Sequence, residues 1–112
     1  MDWQDGRDRT LGELRDLIDG CDGAIVSMLV LRSRLVYEVA RRKISLGETT
    51  SLGRRRDREI AVMNRAIKSN EEAKGHYARR TIQEVFEAVF SGSELIFKAA
   101  LRGTDDEGDR GT

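Results

Sequence analysis

Apolar residues recur along the first third of the chain at steps of three and four, which is the spacing of one face of an α-helix. The residues on this face, here called the seam, are Leu11, Leu14, Ile18, Cys21, Ile25, Met28, Leu35 and Val39. At the start of the seam, Thr10 and Glu13 have the spacing of a capping box, in which each side chain accepts a hydrogen bond from a free backbone amide at the helix start. The pattern predicts a long first helix from Leu11 to about Lys43, about 50 Å at 1.5 Å per residue.

Two further helices are predicted after a Gly-, Ser- and Thr-rich loop at residues 45–53. A medium helix is expected over about 55–69, followed by a turn at 70–75, and a long helix is expected over about 76–102. The apolar positions of these two helices are Ile60, Met63 and Ile67, then Ile82, Val85, Phe86, Val89, Ile96, Phe97 and Ala100, with Ser93 among the latter. No alternating strand pattern occurs, so we predict an all-α fold whose helices are long, medium and long.

The organisation expected along the chain is a flexible lead-in (1–9), a helical domain (10–102) and a disordered acidic tail (103–112). A compact chain near this length has a radius of gyration of only about 13 Å. The rest of one chain cannot cover a helix of about 50 Å along its whole length. We therefore expect two chains to pair through their first helices.

Composition excludes several classes of function. The 20 basic and 20 acidic residues give a net charge of zero, which argues against a general nucleic-acid binder. No apolar stretch reaches about 18 residues and no signal-peptide pattern opens the chain, so we expect no membrane span and a cytoplasmic protein. A single cysteine, Cys21, and a single histidine, His76, argue against disulfides, His-based triads and most metal sites. We expect no metal or cofactor, and Cys21 is expected to be a small core residue.

Cations along the seam are the first candidates for a functional site. Arg32 lies on phase between Met28 and Leu35, and a buried guanidinium needs an anionic partner. Arg15 and Lys43 lie along one edge of the same face, a multiple of seven residues apart. One such arginine is most simply a snorkelling side chain or the partner of an internal carboxylate. Three cations on one apolar face favour an anion-binding pocket inside a helical bundle.

Polar residues in the later helices are weaker candidates when each is taken alone. Ser93 interrupts the apolar side of the third helix, where its simplest role is a hydrogen bond to the carbonyl one turn earlier. Arg58 and Glu59 open the second helix, where their simplest role is a solvated, helix-capping charge pair.

Taken together, these residues resemble the all-helical chorismate mutases. The matching pattern is Leu11 and Arg15 at the start, Arg32 seventeen residues later, Lys43 eleven further on, and an Arg-Glu pair opening an apolar helix, with the similarity covering about residues 11–102. The resemblance implies an intertwined homodimer, in which the long first helices pair and each of two active sites is built from both chains.

The resemblance also implies an isomerase of the shikimate pathway, which serves aromatic amino acid biosynthesis. Its substrate, chorismate, is a small dianion that becomes prephenate by an intramolecular pericyclic rearrangement. This chemistry needs a compact conformer and positive charge near the breaking ether bond, and it requires no nucleophile, metal or cofactor. By the family pattern, Arg15 would reach one carboxylate from the partner chain, Arg32 would hold the other, and Lys43 would stabilise the ether oxygen.

The remaining family positions fall in the second and third helices. Arg58 and Glu59 would line the pocket, with Glu59 receiving the ring hydroxyl, and Ser93 would bond a carboxylate. Two residues depart from the best-known members. Phe97 replaces a glutamine that is a second donor to the ether oxygen, a loss that typically costs ~10²–10³ in rate, and Arg55 replaces an aspartate.

These departures, with a loop about three residues longer before Arg58, point to a weak or partner-activated enzyme, or to one with an altered substrate. Some divergent short mutases gain activity from a partner enzyme such as a DAHP synthase.

The alternatives within enzymes are a mutase of 4-amino-4-deoxychorismate and an isochorismate pyruvate lyase. Arg55 would repel an ammonium near C4, which counts against the amino substrate. The alternative outside enzymes is a catalytically dead helical interaction or regulatory module.

Overall fold

A computed structural model describes residues 8–48 and 55–110, with side chains described for 8–48 and 55–103. Its secondary structure consists of three α-helices, α1 (Leu11–Ser45), α2 (Arg56–Glu72) and α3 (Arg79–Arg110). No β-strand occurs within these described residues. The predicted all-α fold, with helices that are long, medium and long, is confirmed.

Both ends of α1 are defined by local hydrogen bonds. The backbone N–H of Thr10 donates to Glu13 Oε1 at 3.3 Å, and the backbone N–H of Glu13 donates to Thr10 Oγ1 at 3.1 Å. This is the predicted capping box. At the other end, Gly47 has a left-handed φ of 74° and its N–H donates to the Ile44 carbonyl at 3.0 Å. Glycine adopts this conformation without a steric penalty, so the helix stops close to the predicted end.

The chain divides into two compact units, Met1–Arg32 and Ser33–Thr112. In the first unit, the N-terminal part of α1 leaves its seam uncovered, and Met28 is 62% exposed. Cys21, expected in the core, is exposed as well, because no described element of this unit packs over the seam. The N-terminal part of α1 therefore carries apolar side chains that the described residues of its own unit leave exposed.

The second unit contains the packed core. Its buried apolar side chains are Ala40, Ile67, Phe90 and Ala100. Phe90 also lies against Phe86, with the two ring centroids 6.1 Å apart at 55°. At the end of α1, Ala40 and Ala100 form a buried cluster, and Ile44 and Phe97 pack against it. The last turns of α1 thus contact α3 in this unit.

The connection between α2 and α3 differs from the predicted one. α2 continues to Glu72 rather than ending near 69, and α3 begins at Arg79 rather than at 76, so His76 lies in the connecting bend. The side chain of Asn70 donates to the Tyr77 carbonyl at 2.9 Å and holds this connection. A helical asparagine that bonds across the connection cannot be distinguished from a turn asparagine by composition alone.

The third helix also extends further than expected. It runs to Arg110, beyond the predicted end at Arg102, and so includes most of the segment that the composition predicts to be a disordered tail. No proline interrupts this segment, and each glycine in a helix costs only about 1 kcal/mol relative to alanine. Residues 1–7, 49–54 and 111–112 lie outside the described residues, and with them most of the lead-in, including Trp3.

Candidate active site

The inner face of α2 carries a carboxylate. Glu59 lies in the first turn of α2 and is only 8% exposed, in line with Met63 and the buried Ile67 at steps of four residues. Ile60, which the apolar pattern places on the inner face, is 52% exposed. Glutamates are almost never this buried unless they are paired. The interpretation of Glu59 as a solvated charge is therefore wrong.

Among the described residues, Arg56 places a cation beside Glu59. Its Nη1 lies 2.8 Å from Glu59 Oε1 and 3.6 Å from Oε2 of Glu87 on α3. Sequence reasoning missed Arg56, because an arginine three residues before a glutamate is usually an ordinary surface pair. The signal that could have found it is the position of that glutamate in line with Met63 and Ile67.

The other arginines at the start of α2 face water. Arg58 is exposed, and Arg55 Nη2 lies 3.4 Å from Asp57 Oδ2. The hydrogen bond from Arg55, assisted by the backbone N–H of Arg58, lowers the pKa of the Asp57 carboxyl. The positive charge of Arg55, which departs from the family pattern, is thus paired with its neighbour Asp57.

Ser93 is the second buried polar residue. It is 9% exposed, and its hydroxyl donates to the Val89 carbonyl at 3.0 Å. This is the backbone-bonded role that the sequence suggests for a lone serine in a helix. A hydroxyl has one hydrogen, so donation to a ligand carboxylate requires the hydroxyl to rotate away from Val89. Its role in binding a carboxylate stays a prediction.

Phe97 and Lys43 lie on segments that pack against each other. Phe97 is half-buried against the cluster of Ala40 and Ala100, which Ile44 also contacts. Lys43 immediately precedes Ile44 and is itself half-buried. The turn of α3 that carries Phe97 therefore packs against the same buried cluster as the turn of α1 that carries Lys43.

The predicted site residues are divided between the two units. Arg15 and Arg32 belong to the first unit, where Arg15 is exposed and Arg32 is half-buried. The second unit holds Lys43, Arg58, Glu59, Ser93 and Phe97. Among the side chains that the structure describes, the two buried polar or charged ones are Glu59 and Ser93, and both were predicted as site residues from the sequence.

Two general properties of the described residues bear on the chemistry. No group of three or more His, Cys, Asp or Glu side chains is placed to hold a metal ion within the described part of the chain. Among the helices of residues 8–48 and 55–110, none combines the length and apolar character that crossing a bilayer demands.

Comparison with known families identifies the class of protein. The family model described as chorismate mutase type II matches residues 14–96, and the chain therefore belongs to the chorismate mutase type II family. The matched segment includes Arg15, Arg32, Lys43 and Glu59, and it ends one residue before Phe97. Searches of curated proteins and of solved structures each gave no match. The resemblance drawn from the residue pattern is confirmed at the level of the family.

Proposed function

We propose that this protein is a chorismate mutase that rearranges chorismate to prephenate. The observation that carries the proposal is the burial of Glu59 and Ser93 within a chain of this family. Burial of a polar side chain costs free energy unless it is hydrogen-bonded, and here Glu59 bonds to Arg56 and Ser93 to the Val89 carbonyl. Both lie at predicted site positions, which supports a binding role for them.

The residues available suit the chemistry of this reaction. In chorismate the ether carbon–oxygen bond breaks as a carbon–carbon bond forms within the same molecule, and negative charge builds on the ether oxygen. A side-chain cation at this oxygen stabilises the transition state more than the ground state. We assign this role to Lys43, which is half-buried at the packed end of α1. Arg32 is assigned to a substrate carboxylate.

Glu59 is assigned to the ring hydroxyl of the substrate. An ionised carboxylate is an acceptor only, so it suits a hydroxyl that donates. Glu59 accepts a hydrogen bond from Arg56, and a carboxylate has several acceptor positions, so it can accept from a substrate hydroxyl as well. Arg58 is exposed and would contact the substrate at the outer side of the pocket.

The complete site in this proposal requires a homodimer. Arg15 is exposed on the first unit, and we assign the second substrate carboxylate to Arg15 of the partner subunit. Support comes from the uncovered seam of α1, whose large apolar residues remain exposed in the single chain. Exposed apolar area of this extent is typical of a surface that a second protein covers.

Turnover of chorismate by the purified protein tests the proposal. We expect the absorbance of chorismate to fall and prephenate to be the product. Arg32→Ala should abolish turnover without unfolding the protein, because Arg32 is assigned to hold a substrate anion. The matched control is Arg34→Ala, on the exposed opposite side of α1 about 200° away, which should keep activity.

Other results of these assays would each identify one of the alternative functions. Release of pyruvate from isochorismate, or turnover of 4-amino-4-deoxychorismate alone, would identify a related enzyme. No reaction with all three substrates would favour an interaction or regulatory module. Loss of folded protein in Arg32→Ala, seen by circular dichroism, would show that Arg32 serves an internal ion pair.

A further inference from the structure

The guanidinium of Arg56 lies between two carboxylates on different helices. It approaches Glu59 on α2 to 2.8 Å and Glu87 on α3 to 3.6 Å. The three side chains differ in exposure, at 62% for Arg56, 11% for Glu59 and 44% for Glu87. A cation at the surface is thus bonded to a carboxylate beneath it.

Burial alone would disfavour the charged form of Glu59. A carboxylate removed from water favours its neutral form, and an adjacent cation reverses this preference. A charge-assisted bond of 2.8 Å also restricts the rotation of the carboxylate. A carboxylate accepts several hydrogen bonds, so the bond from Arg56 leaves Glu59 able to receive a further donor.

The first turn of α2 is also linked to α3 through Arg56. The N-cap residue, Arg55, makes no side-chain capping hydrogen bond. The contact from Arg56 to Glu87 links this turn to α3. Loss of Arg56 therefore removes both a partner of Glu59 and a link between the two helices.

We propose that Arg56 is a positioning residue, which bridges Glu59 and Glu87 and so fixes the orientation of the Glu59 carboxylate for the substrate hydroxyl. The inference rests on the proposed role of Glu59 in the chorismate mutase reaction. Arg56 acts through Glu59 and has no contact with the substrate in this account.

A double-mutant cycle separates this role from a structural one. Arg56→Gln should lower kcat/KM by about tenfold in the wild-type background, and by less than about twofold when Glu59→Gln is already present. Arg56→Lys keeps a cation and should restore part of the loss. The matched control is Arg80→Gln, which removes the same charge from an exposed ion pair with Glu84 and should leave kcat/KM unchanged.

A second measurement does not depend on turnover. Titration of the Glu59 carboxyl carbon by NMR should show a higher pKa in Arg56→Gln than in the wild type. The charged groups that face Glu59 in this bridge are Arg56 from its own helix and, through Arg56, Glu87 from α3. Glu87→Gln should lower the pKa of Glu59, because it removes a nearby negative charge.

The outcomes distinguish failure of this inference from failure of the proposed function. A wild-type protein that leaves chorismate unchanged overturns the proposed function, and the NMR titration then still decides whether Arg56 holds Glu59. An active wild type with equal losses in both backgrounds of the cycle, or with no loss in Arg56→Gln, overturns the inference. So does a pKa of Glu59 that is the same in the wild type and Arg56→Gln.

Discussion

Phe97 packs against the buried cluster of Ala40 and Ala100, and so does Ile44. Phe97, which the resemblance places where the best-known chorismate mutases carry a second donor to the ether oxygen, is therefore in an apolar environment. Phenylalanine donates no hydrogen bond, so Lys43 would stabilise the developing charge without that second donor. We expect a slow enzyme whose deficit lies mainly in kcat, because the missing interaction belongs to the transition state.

Substitution of this residue tests the missing-donor account. Phe97→Gln places an amide one turn beyond Ser93, and we expect kcat for chorismate to rise by ~10-fold or more, each decade corresponding to ~1.4 kcal/mol. The same change removes apolar contacts from the cluster, so the free energy of unfolding should fall by about 1–2 kcal/mol. Steady-state kinetics and urea denaturation measure the two effects.

The control at this position is Phe97→Leu, which keeps an apolar side chain and adds no donor. It should leave kcat close to the wild-type value. A fall in kcat for Phe97→Gln beyond that of Phe97→Leu would contradict the account, and would indicate that Phe97 shapes a pocket for a different substrate.

At the scale of elements, α1 and α2 end in the same hydrogen-bond motif with different residues at its left-handed position. At the end of α1 this residue is Gly47, with φ 74°, and at the end of α2 it is Lys74, with φ 57°. The N–H of Lys74 donates to the Glu71 carbonyl at 3.1 Å, and the N–H of Gly75 donates to the Asn70 carbonyl at 2.9 Å. This pair of bonds is the Schellman motif, whose left-handed residue is usually glycine.

Lys74→Gly should therefore stabilise the protein. A left-handed residue with a Cβ is strained by about 1–2 kcal/mol, and the greater freedom of glycine in the unfolded chain offsets about 0.4–1 kcal/mol of this, so we expect a gain of about 0.5–1 kcal/mol. Lys68→Gly, inside α2 at an exposed position, is the matched control and should lose about 1 kcal/mol. Urea midpoints at one fixed protein concentration measure both. A loss of stability in Lys74→Gly would show that the lysine side chain contributes contacts that outweigh the strain.

At the scale of the whole molecule, α1, with its seam, carries most of the large apolar residues that are exposed among the described ones. Leu11, Ile18 and Met28 are each about 60% exposed in the single chain. The buried apolar core of the described residues is small by comparison, with Ile67 and Phe90 as its large members. A chain that buries little of its own apolar surface obtains the rest of its stability from association.

We therefore expect an obligate homodimer. Sedimentation at micromolar concentration should show a dimer, and Ile18→Arg should dissociate it by placing a charge on the seam. Asp16→Arg, on the exposed opposite side of the helix, is the matched control and should leave the dimer intact. A stable folded monomer of the wild type would contradict both the dimer and an active site shared between chains.

The sequence by itself determined the features that depend on neighbouring residues. The capping box at Thr10, the three helices and their order follow from hydrogen bonds and apolar spacing within a few turns, and the spaced cations with the Arg-Glu pair were enough to indicate the family. These signals depend only on residues a few turns apart, so they can be recognised without knowing what packs against each helix.

The tertiary structure decided which side of each later helix is buried. Successive residues of a helix point about 100° apart, so a rotation of about that angle exchanges the buried Glu59 for the exposed Ile60. On α3, too, the apolar pattern alone does not define the buried side: Val85 is exposed and Phe90 is buried. The bridge from Arg56 to Glu87 joins residues thirty-one positions apart on separate helices, and only the packing of α2 on α3 brings their charges together.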